Sequence, residues 1–81
     1  MKSRINKLKY EFELTDGGDV YYYKNNKNHR EKDLPAVILK DGSRGWLKNG
    51  LSHRDNGKPS DISSDGRMYW YEYGKFIKMK Y

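Results

Sequence analysis

Apolar and charged residues alternate at both ends of the chain, and this alternation predicts β-strands there. Near the start, four apolar residues stand at every second position: Leu8, Tyr10, Phe12 and Leu14. Near the end, three more alternate with lysines: Ile77, Met79 and Tyr81. A period of two is typical of strands. With the segments between them, the pattern predicts strands at 8–14, 20–24, 35–40, 44–48, 67–73 and 75–80. No stretch has a convincing helical period, so the predicted fold class is all-β.

Turn dipeptides separate these segments. Asp41-Gly42, Asn49-Gly50 and Asp65-Gly66 are typical of type I′ hairpin turns, whose two central residues both have positive φ. Hairpins joined by short turns predict an antiparallel meander in a single sheet, with strand order following the chain and low contact order.

The chain also repeats itself at an interval of 24 residues. Residues 25–50 align without gaps on residues 49–74. The shared positions include three pairs: His29/His53, Arg30/Arg54 and Trp46/Trp70. A further step back places Tyr22 on Trp46. We therefore interpret residues 1–81 as one domain with a half repeat at 8–24, repeats at 25–48 and 49–72, and a capping strand at 73–81.

The segment from Trp46 to Pro59 resembles the repeats of the MORN-variant type. Those run tryptophan, two residues, asparagine-glycine, two residues, histidine-arginine, and then an acidic-glycine-proline turn. The resemblance covers roughly residues 16–74. It implies stacked β-hairpins in an elongated sheet and contacts with proteins or membranes, and such repeats are common in small bacterial and bacteriophage proteins. The segment Ser60–Ser64 departs from its counterpart Ala36–Lys40, because it has lost the apolar residues of a core strand.

Composition narrows the function classes. Of the 81 residues, 35% are hydrophobic and 15% aromatic, and none is cysteine. A chain of this size and composition has a small core, and it has no disulfide and no thiolate metal site. Met1-Lys2-Ser3-Arg4 is not followed by an apolar stretch, and no apolar run approaches the roughly 20 residues that cross a bilayer. We expect a cytoplasmic protein, in the host cytoplasm if a phage encodes it.

The net charge of +6 is concentrated at the two ends of the chain. Residues 1–10 carry four basic residues and no acidic one, whereas residues 11–71 are neutral. A nucleic-acid-binding protein usually has a basic face that runs through its fold. This distribution makes nucleic-acid binding a less favoured interpretation but does not exclude it.

The triplets His29-Arg30-Glu31 and His53-Arg54-Asp55 are candidate catalytic groups, because a histidine beside an acid can act as a general base. No serine or cysteine recurs beside them as a nucleophile. Two histidines without cysteine also fall short of the three or four ligands that zinc needs. We interpret His29 and His53 as structural residues, with the arginines bonded to carbonyls and the histidines packed on the repeat tryptophans. No enzymatic activity, cofactor or metal is expected.

Tyrosine-rich strands are the main candidate for function. Tyr22, Trp46 and Trp70 share a repeat position and are expected to form a stacked aromatic core. Their neighbours would then lie on the opposite face: Tyr21, Tyr23, Tyr69, Tyr71 and Tyr73. An exposed tyrosine face is typical of recognition surfaces, although dimer packing or a covering loop would also use it. Three basic residues are candidates for the same partner: Lys24, Arg30 and Arg54.

These features favour a small protein-binding module without catalytic activity. The phage-like repeats suggest a mobile-element modulator of a host protein, such as an inhibitor of a defence system of the anti-CRISPR kind. The alternative is a nucleic-acid-binding protein in which tyrosines stack on bases. Four basic residues would then contact phosphates: Lys24, Lys27, Arg30 and Lys48. A homodimer is also compatible with the sequence.

Overall fold

The computed structural model describes residues 10–81, and within them the chain forms ten β-strands and no helix. They are β1 (Tyr10–Leu14), β2 (Val20–Lys24), β3 (Lys27–Asn28), β4 (Val37–Ile38), β5 (Arg44–Gly45), β6 (Leu47–Lys48), β7 (Leu51–Ser52), β8 (Asp61–Ile62), β9 (Met68–Glu72) and β10 (Lys75–Lys80). The described chain therefore has no helix that could span a membrane. The first two positions of the predicted strand 8–14 and the basic residues before them lie outside the described residues.

The strands form a meander-like antiparallel sheet, so the predicted all-β class is confirmed. Within residues 10–81 the sheet has the order β1-β2-β4-β5-β8-β9-β10, and every adjacent pair is antiparallel. β3 pairs only with β2, and β6 and β7 form a separate two-stranded sheet. The prediction of one continuous sheet was therefore wrong for the β6–β7 hairpin.

Backbone pairing explains a strand that the apolar pattern did not predict. β8 lies in the polar segment Ser60–Ser64, where the loss of apolar residues argued against a core strand. The amide of Ser60 donates to Tyr69 O at 2.9 Å, and its carbonyl accepts from Trp46 N at 2.7 Å. A sheet ladder needs only backbone donors and acceptors, so this segment completes the sheet without apolar side chains.

Two kinds of turn connect the strands. Asn49 and Gly50 have φ values of 49° and 86°, as a type I′ turn requires. At Asp41-Gly42 only the glycine has a positive φ, of 96°, and the amide of Gly42 donates to Leu39 O. This is a type I turn followed by one left-handed residue, so the predicted type I′ geometry was wrong here. The Asp41 carboxylate explains the difference, because it accepts from Ser43 N at 2.8 Å.

The core is shallow and lies along the middle of the sheet. The molecule measures 49 × 28 × 18 Å, and its shortest dimension leaves room for little more than one layer. Among residues 10–81, only six are buried: His29, Ala36, Gly45, Trp46, His53 and Ser60. Because Ser60 has no accessible surface, its hydroxyl is satisfied internally and accepts from Tyr71 N at 3.0 Å. Most side chains therefore keep one side accessible to solvent.

Candidate functional site

The strand register gives the sheet two distinct faces. One cross-strand row runs through five paired residues: Tyr21, Val37, Gly45, Asp61 and Tyr69. Directly paired residues project from the same side of an antiparallel sheet. Tyr23 and Tyr71 lie two positions farther along β2 and β9 and project from that same side. We call this side, with Tyr21, Tyr23, Tyr69 and Tyr71, the tyrosine face.

All four tyrosines of this face are half-buried. The hydroxyl of Tyr23 donates to Glu13 Oε1 at 3.1 Å, and the Tyr71 ring meets the Phe76 ring edge-on with centroids 5.5 Å apart. Neighbouring residues therefore hold these two rings in place while part of each remains accessible. Rigid rings with accessible surface are suited to contact with another molecule.

An apolar groove of about 260 Å³ lies in the middle of the tyrosine face. Its walls include Val37, Leu39, Leu47 and Tyr69, and Gly45 lies between them. A Cβ atom placed on Gly45 would lie 3.3 Å from Asp61 Oδ1 and 3.8 Å from Val37 Cβ. The positions 24 residues before and after Gly45 hold Tyr21 and Tyr69. The missing side chain therefore leaves the space that forms the groove.

Asp61 places a carboxylate in this apolar groove. Within residues 10–81 its side chain makes no hydrogen bond or ion pair, whereas its backbone pairs with β5 and β9. Burial raises the pKa of the Asp61 carboxyl above its ordinary value. A half-buried carboxylate without a partner is unfavourable in the free protein. It is a ready acceptor for a cationic group brought by a ligand.

The opposite face is held together by arginines lying over aromatic rings. We call it the packed face, because the register places Tyr22 and Trp70 on the side away from Tyr21 and Tyr69. The Arg30 guanidinium lies 3.7 Å from the Tyr22 ring centroid, and Arg54 lies 3.7 Å from that of Trp46. These short distances favour cation–π attraction and stacking.

Both arginines also hold the loop that follows them. Arg30 donates to Pro35 O at 3.1 Å, and Arg54 donates to Pro59 O at 3.2 Å. Each guanidinium therefore joins a ring of the packed face to a loop carbonyl. The expected hydrogen bonds from these arginines to carbonyls are present.

The two tryptophans differ in burial, and the expectation of equivalent core residues was wrong in this respect. Each indole Nε1 donates to a loop carbonyl, Trp46 to Asp33 O at 3.0 Å and Trp70 to Gly57 O at 2.8 Å. Trp46 is only 6% exposed, whereas Trp70 is half-buried. No arginine of residues 10–81 lies over the Trp70 ring. Lys78 lies there instead, with Nζ 4.8 Å from the centroid, and a lysine covers less of a ring than a guanidinium does.

His29 and His53 are buried and use both ring nitrogens within the protein. Nδ1 of His29 accepts from Asn49 N at 2.9 Å, and Nδ1 of His53 accepts from Tyr73 N at 3.2 Å. Each Nε2 faces an acid, Glu31 at 2.7 Å and Asp55 at 2.9 Å. Since Nδ1 accepts a backbone proton, Nε2 carries the ring proton in the neutral form. Neither ring offers a free basic nitrogen for proton abstraction.

The acids beside the histidines are stabilised in the ionised form. The pKa of Glu31 is lowered by its hydrogen bond with His29 and then by Lys24, whose Nζ lies 3.2 Å away. The pKa of Asp55 is lowered chiefly by Lys48, 2.8 Å away, and then by His53. Each triplet therefore forms a network of hydrogen bonds and ion pairs that braces its loop.

Tyr73 does not belong to the tyrosine face. It follows β9 in a turn with φ of 45°, and its ring stacks on His53 with centroids 3.8 Å apart. The predicted strand 67–73 therefore ends at Glu72. The expected stacking of a histidine ring on a tryptophan ring is not found within residues 10–81, and Tyr73 stacks on His53 instead.

Several basic residues proposed as partner contacts are bonded internally. Lys24 and Lys48 pair with Glu31 and Asp55 as described, and Arg54 Nε donates to Asp33 Oδ1 at 2.8 Å. Arg54 and then Lys58 lower the pKa of Asp33 to about 2. Within residues 10–81 no group of three histidine, cysteine or acidic side chains is arranged to hold a metal ion. The N-terminal basic residues lie outside the described residues.

Comparison with protein-family models, with curated proteins and with solved structures finds no match for this chain. The resemblance to MORN-variant repeats stays a prediction from the sequence. The assignment of function therefore depends on the geometry of the two faces.

Asp61 and Gly45 are the residues of this surface that the sequence prediction missed. A signal for both was present in the aligned copies, where Gly45 aligns with Tyr69 and Asp61 aligns with Val37. Gly45 leaves a gap where the aligned copies have a tyrosine, and Asp61 places a carboxylate where the aligned copy has an apolar side chain. These two positions lie side by side in one groove because β5 pairs with β8.

Proposed function

We propose that this protein is a small, non-catalytic binding module that holds a partner protein against its tyrosine face. The main supporting observation is the groove beside Gly45, an apolar recess that contains an unpaired carboxylate and has Tyr69 in its wall. Apolar pockets with one or two placed polar groups are typical binding sites. Tyrosine is also enriched among residues that dominate binding energy at protein interfaces.

The accessible rings make the face suitable for a flat protein surface. Tyr21 and Tyr69 lie on opposite sides of the Gly45–Asp61 pair in the same cross-strand row. A partner side chain in the groove would therefore contact both the groove walls and neighbouring rings. Tyrosine supplies contact area at low cost in side-chain entropy, because its ring has only two rotatable bonds.

The charges of this face favour a protein over a nucleic acid. Glu13 and Asp61 lie in its cross-strand rows, and carboxylates repel phosphates. Lys24 and Lys48, proposed as phosphate contacts, already pair with carboxylates in the protein. A phosphate backbone would have to displace those acids to use these lysines.

The groove favours a basic side chain of the partner. Most of its wall is apolar, and among its lining residues Asp61 is the acidic group and Arg44 the basic one. The Arg44 guanidinium lies 5.9 Å from the Trp46 ring centroid, on the packed face. A lysine or arginine would place its methylene groups against Val37 and Leu47 and its charge near the carboxylate. Pairing would also relieve the unfavourable burial of Asp61.

We also interpret residues 25–48 and 49–72 as two copies of one structural unit, as in MORN-variant repeats. Contacts that recur at an interval of 24 residues support this interpretation. His29 and His53 each accept from a backbone amide 20 residues farther along, and Arg30 and Arg54 each stack on a ring eight residues before them. Because such repeats occur in phage proteins, a host-cell protein is the first partner class to test.

The test is capture of interacting proteins from a bacterial lysate by the immobilised wild type and by the Tyr21→Ala/Tyr69→Ala variant. We expect the wild type to retain a defined protein that the double variant loses. Tyr10→Ala is the matched control, since Tyr10 is an exposed tyrosine on the packed side of β1. Urea denaturation of each variant shows whether a loss of binding comes from unfolding.

Nucleic acid is the alternative outcome of the same experiment. Retention of DNA or RNA that survives both tyrosine changes and falls steeply with added salt would contradict the proposal. Equal capture by the wild type and the double variant would contradict it too. A protein complex that depends on the tyrosines should show only shallow salt dependence.

A further inference from the structure

The two outermost strands of the sheet, β1 and β10, expose an unusual amount of apolar surface. Seven large exposed apolar side chains of residues 10–81 lie on β1, on β10 or directly after it: Tyr10, Phe12, Leu14, Phe76, Ile77, Met79 and Tyr81. Among residues 10–81, each of these strands has one neighbour in the sheet. A long apolar edge strand is a place where another strand can add.

The backbone groups of both strands point outward at corresponding residues. Tyr22 donates its amide to Ala36 O, on the side away from β1. Two opposite residues of an antiparallel pair direct their N–H and C=O groups either both toward each other or both away from each other. Tyr22 directs its groups away from β1, so its partner Phe12 directs its own groups to the outer edge. Tyr69 likewise accepts from Ser60, so Met79 directs its groups outward on β10.

The two edges carry opposite charges. β1 contains Glu11 and Glu13, whereas β10 contains Lys75, Lys78 and Lys80. Lysines on an edge normally prevent pairing with an identical edge, and β10 beside another β10 would set lysine against lysine. β1 beside β10 brings unlike charges together instead.

The side chains alternate in a way that fixes how two copies would meet. On β1, Glu13 projects from the tyrosine face and Phe12 from the packed face, as their pairing with Tyr21 and Tyr22 shows. On β10 the order is reversed, since Lys78 pairs with Trp70 and Met79 with Tyr69. Charge therefore meets charge only if the second copy is turned over.

That turned-over arrangement is also the one in which the strands are antiparallel. Six antiparallel steps separate β1 from β10, so the two strands run in the same direction within one molecule. Rotation of a second copy about an axis in the sheet, perpendicular to the strands, reverses β10 and exchanges its faces. One register then sets four pairs in complementary contact: Tyr10 with Tyr81, Glu11 with Lys80, Phe12 with Met79 and Glu13 with Lys78.

We propose that β1 of one molecule pairs antiparallel with β10 of a second, turned-over copy, with Phe12 opposite Met79 and Glu13 opposite Lys78. The backbone groups of Phe12 and Met79 would form hydrogen bonds across the new pair. The bulge between Phe76 and Lys78 ends the matched segment beside Leu14. The free β10 of the first copy and the free β1 of the second remain available, so the contact does not close and the assembly grows with concentration.

This assembly would place the tyrosine faces of successive copies on opposite sides of one extended sheet. The contact uses neither the groove nor the four tyrosines, although Glu13 also accepts the hydrogen bond from Tyr23. Partners could therefore bind from both sides of the assembled sheet.

The test is sedimentation velocity over a wide range of protein concentrations at low salt. For the wild type we expect a mass that rises with concentration beyond that of a dimer. Glu13→Lys alone and Lys78→Glu alone should each weaken association by at least about tenfold, because like charges then face each other. An equimolar mixture of these two variants should recover association, since each supplies the complementary edge that the other lacks.

Recovery in the mixture is a result that a general loss of stability cannot produce. Glu72→Lys is the matched control, because it makes the same charge reversal at an exposed residue of β9 and should associate like the wild type. A wild type that stays monomeric at every concentration would overturn the proposal. So would single variants that associate normally, or a mixture that associates no better than its components.

Discussion

The packed face and the tyrosine face share one sheet but use their side chains differently. On the packed face, Arg30 and Arg54 lie over aromatic rings and bond to loop carbonyls. On the tyrosine face, Asp61 has no partner within residues 10–81, and the groove beside Gly45 is empty of side chains. Interactions completed within the chain stabilise the fold, whereas interactions left incomplete are available to a second molecule.

The burial of Trp46 gives the largest expected effect. Trp46→Ala should lower the free energy of unfolding by about 3–5 kcal/mol, because it leaves a cavity under Arg54 and removes the bond to Asp33 O. Trp70→Ala should cost clearly less, since Trp70 is half-buried. Urea denaturation followed by circular dichroism measures both. Equal losses would show that burial does not distinguish the two tryptophans.

Replacement of Arg54 tests whether the guanidinium that covers the Trp46 ring stabilises the fold. Arg54→Ala should lower the free energy of unfolding by about 1–3 kcal/mol, since it removes a stacked guanidinium and its bond to Pro59 O. Arg44→Ala is the control at the same ring, because the Arg44 guanidinium lies 5.9 Å from the Trp46 centroid. We expect the control to change stability much less. A larger loss for Arg44→Ala would contradict the assignment of Arg54 as the stabilising cation.

The ion pairs of Asp33 make the stability of the folded protein depend on pH in the acid range. Its folded pKa is about 2, against an ordinary value of 3.8, so the ionised form is favoured in the folded protein. Its contribution to stability is fully present above pH 3.8 and is lost as the pH falls towards 2. Asp33→Asn should therefore be less stable than the wild type near neutral pH and approach it in acid. Denaturation midpoints measured across this range give the difference, and a constant gap would contradict the expected linkage.

Asp61 should give the smallest effect, with the opposite sign. Burial raises its folded pKa above the ordinary value of 3.8, so ionisation destabilises the folded protein as the pH rises through the folded pKa. Asp61→Asn should be slightly more stable than the wild type at neutral pH, and this gain should vanish below pH 3.8. The same variant should bind the partner less well. A variant that loses stability at neutral pH would show that Asp61 has an internal partner.

The sequence by itself determined the local features of this protein. Apolar alternation and the segments between located β1, β2, β9 and β10, the four longest strands of the sheet. The dipeptide Asn49-Gly50 located a turn with two positive φ values, because these residues tolerate the left-handed region. The same alternation separated Tyr21 from Tyr22. Such features depend on neighbours in the chain, and the sequence displays those neighbours directly.

Only the tertiary structure decided which residues at matching repeat positions have the same surroundings. Trp46 and Trp70 have the same local sequence pattern, but an arginine covers one ring and a lysine the other. Tyr73 alternates with Tyr71 along the chain, yet a turn moves it onto His53. Gly45 and Asp61 are 16 residues apart and form one groove because β5 pairs with β8. Burial and pairing depend on residues distant in the chain, and a period in the sequence records their spacing but not their contacts.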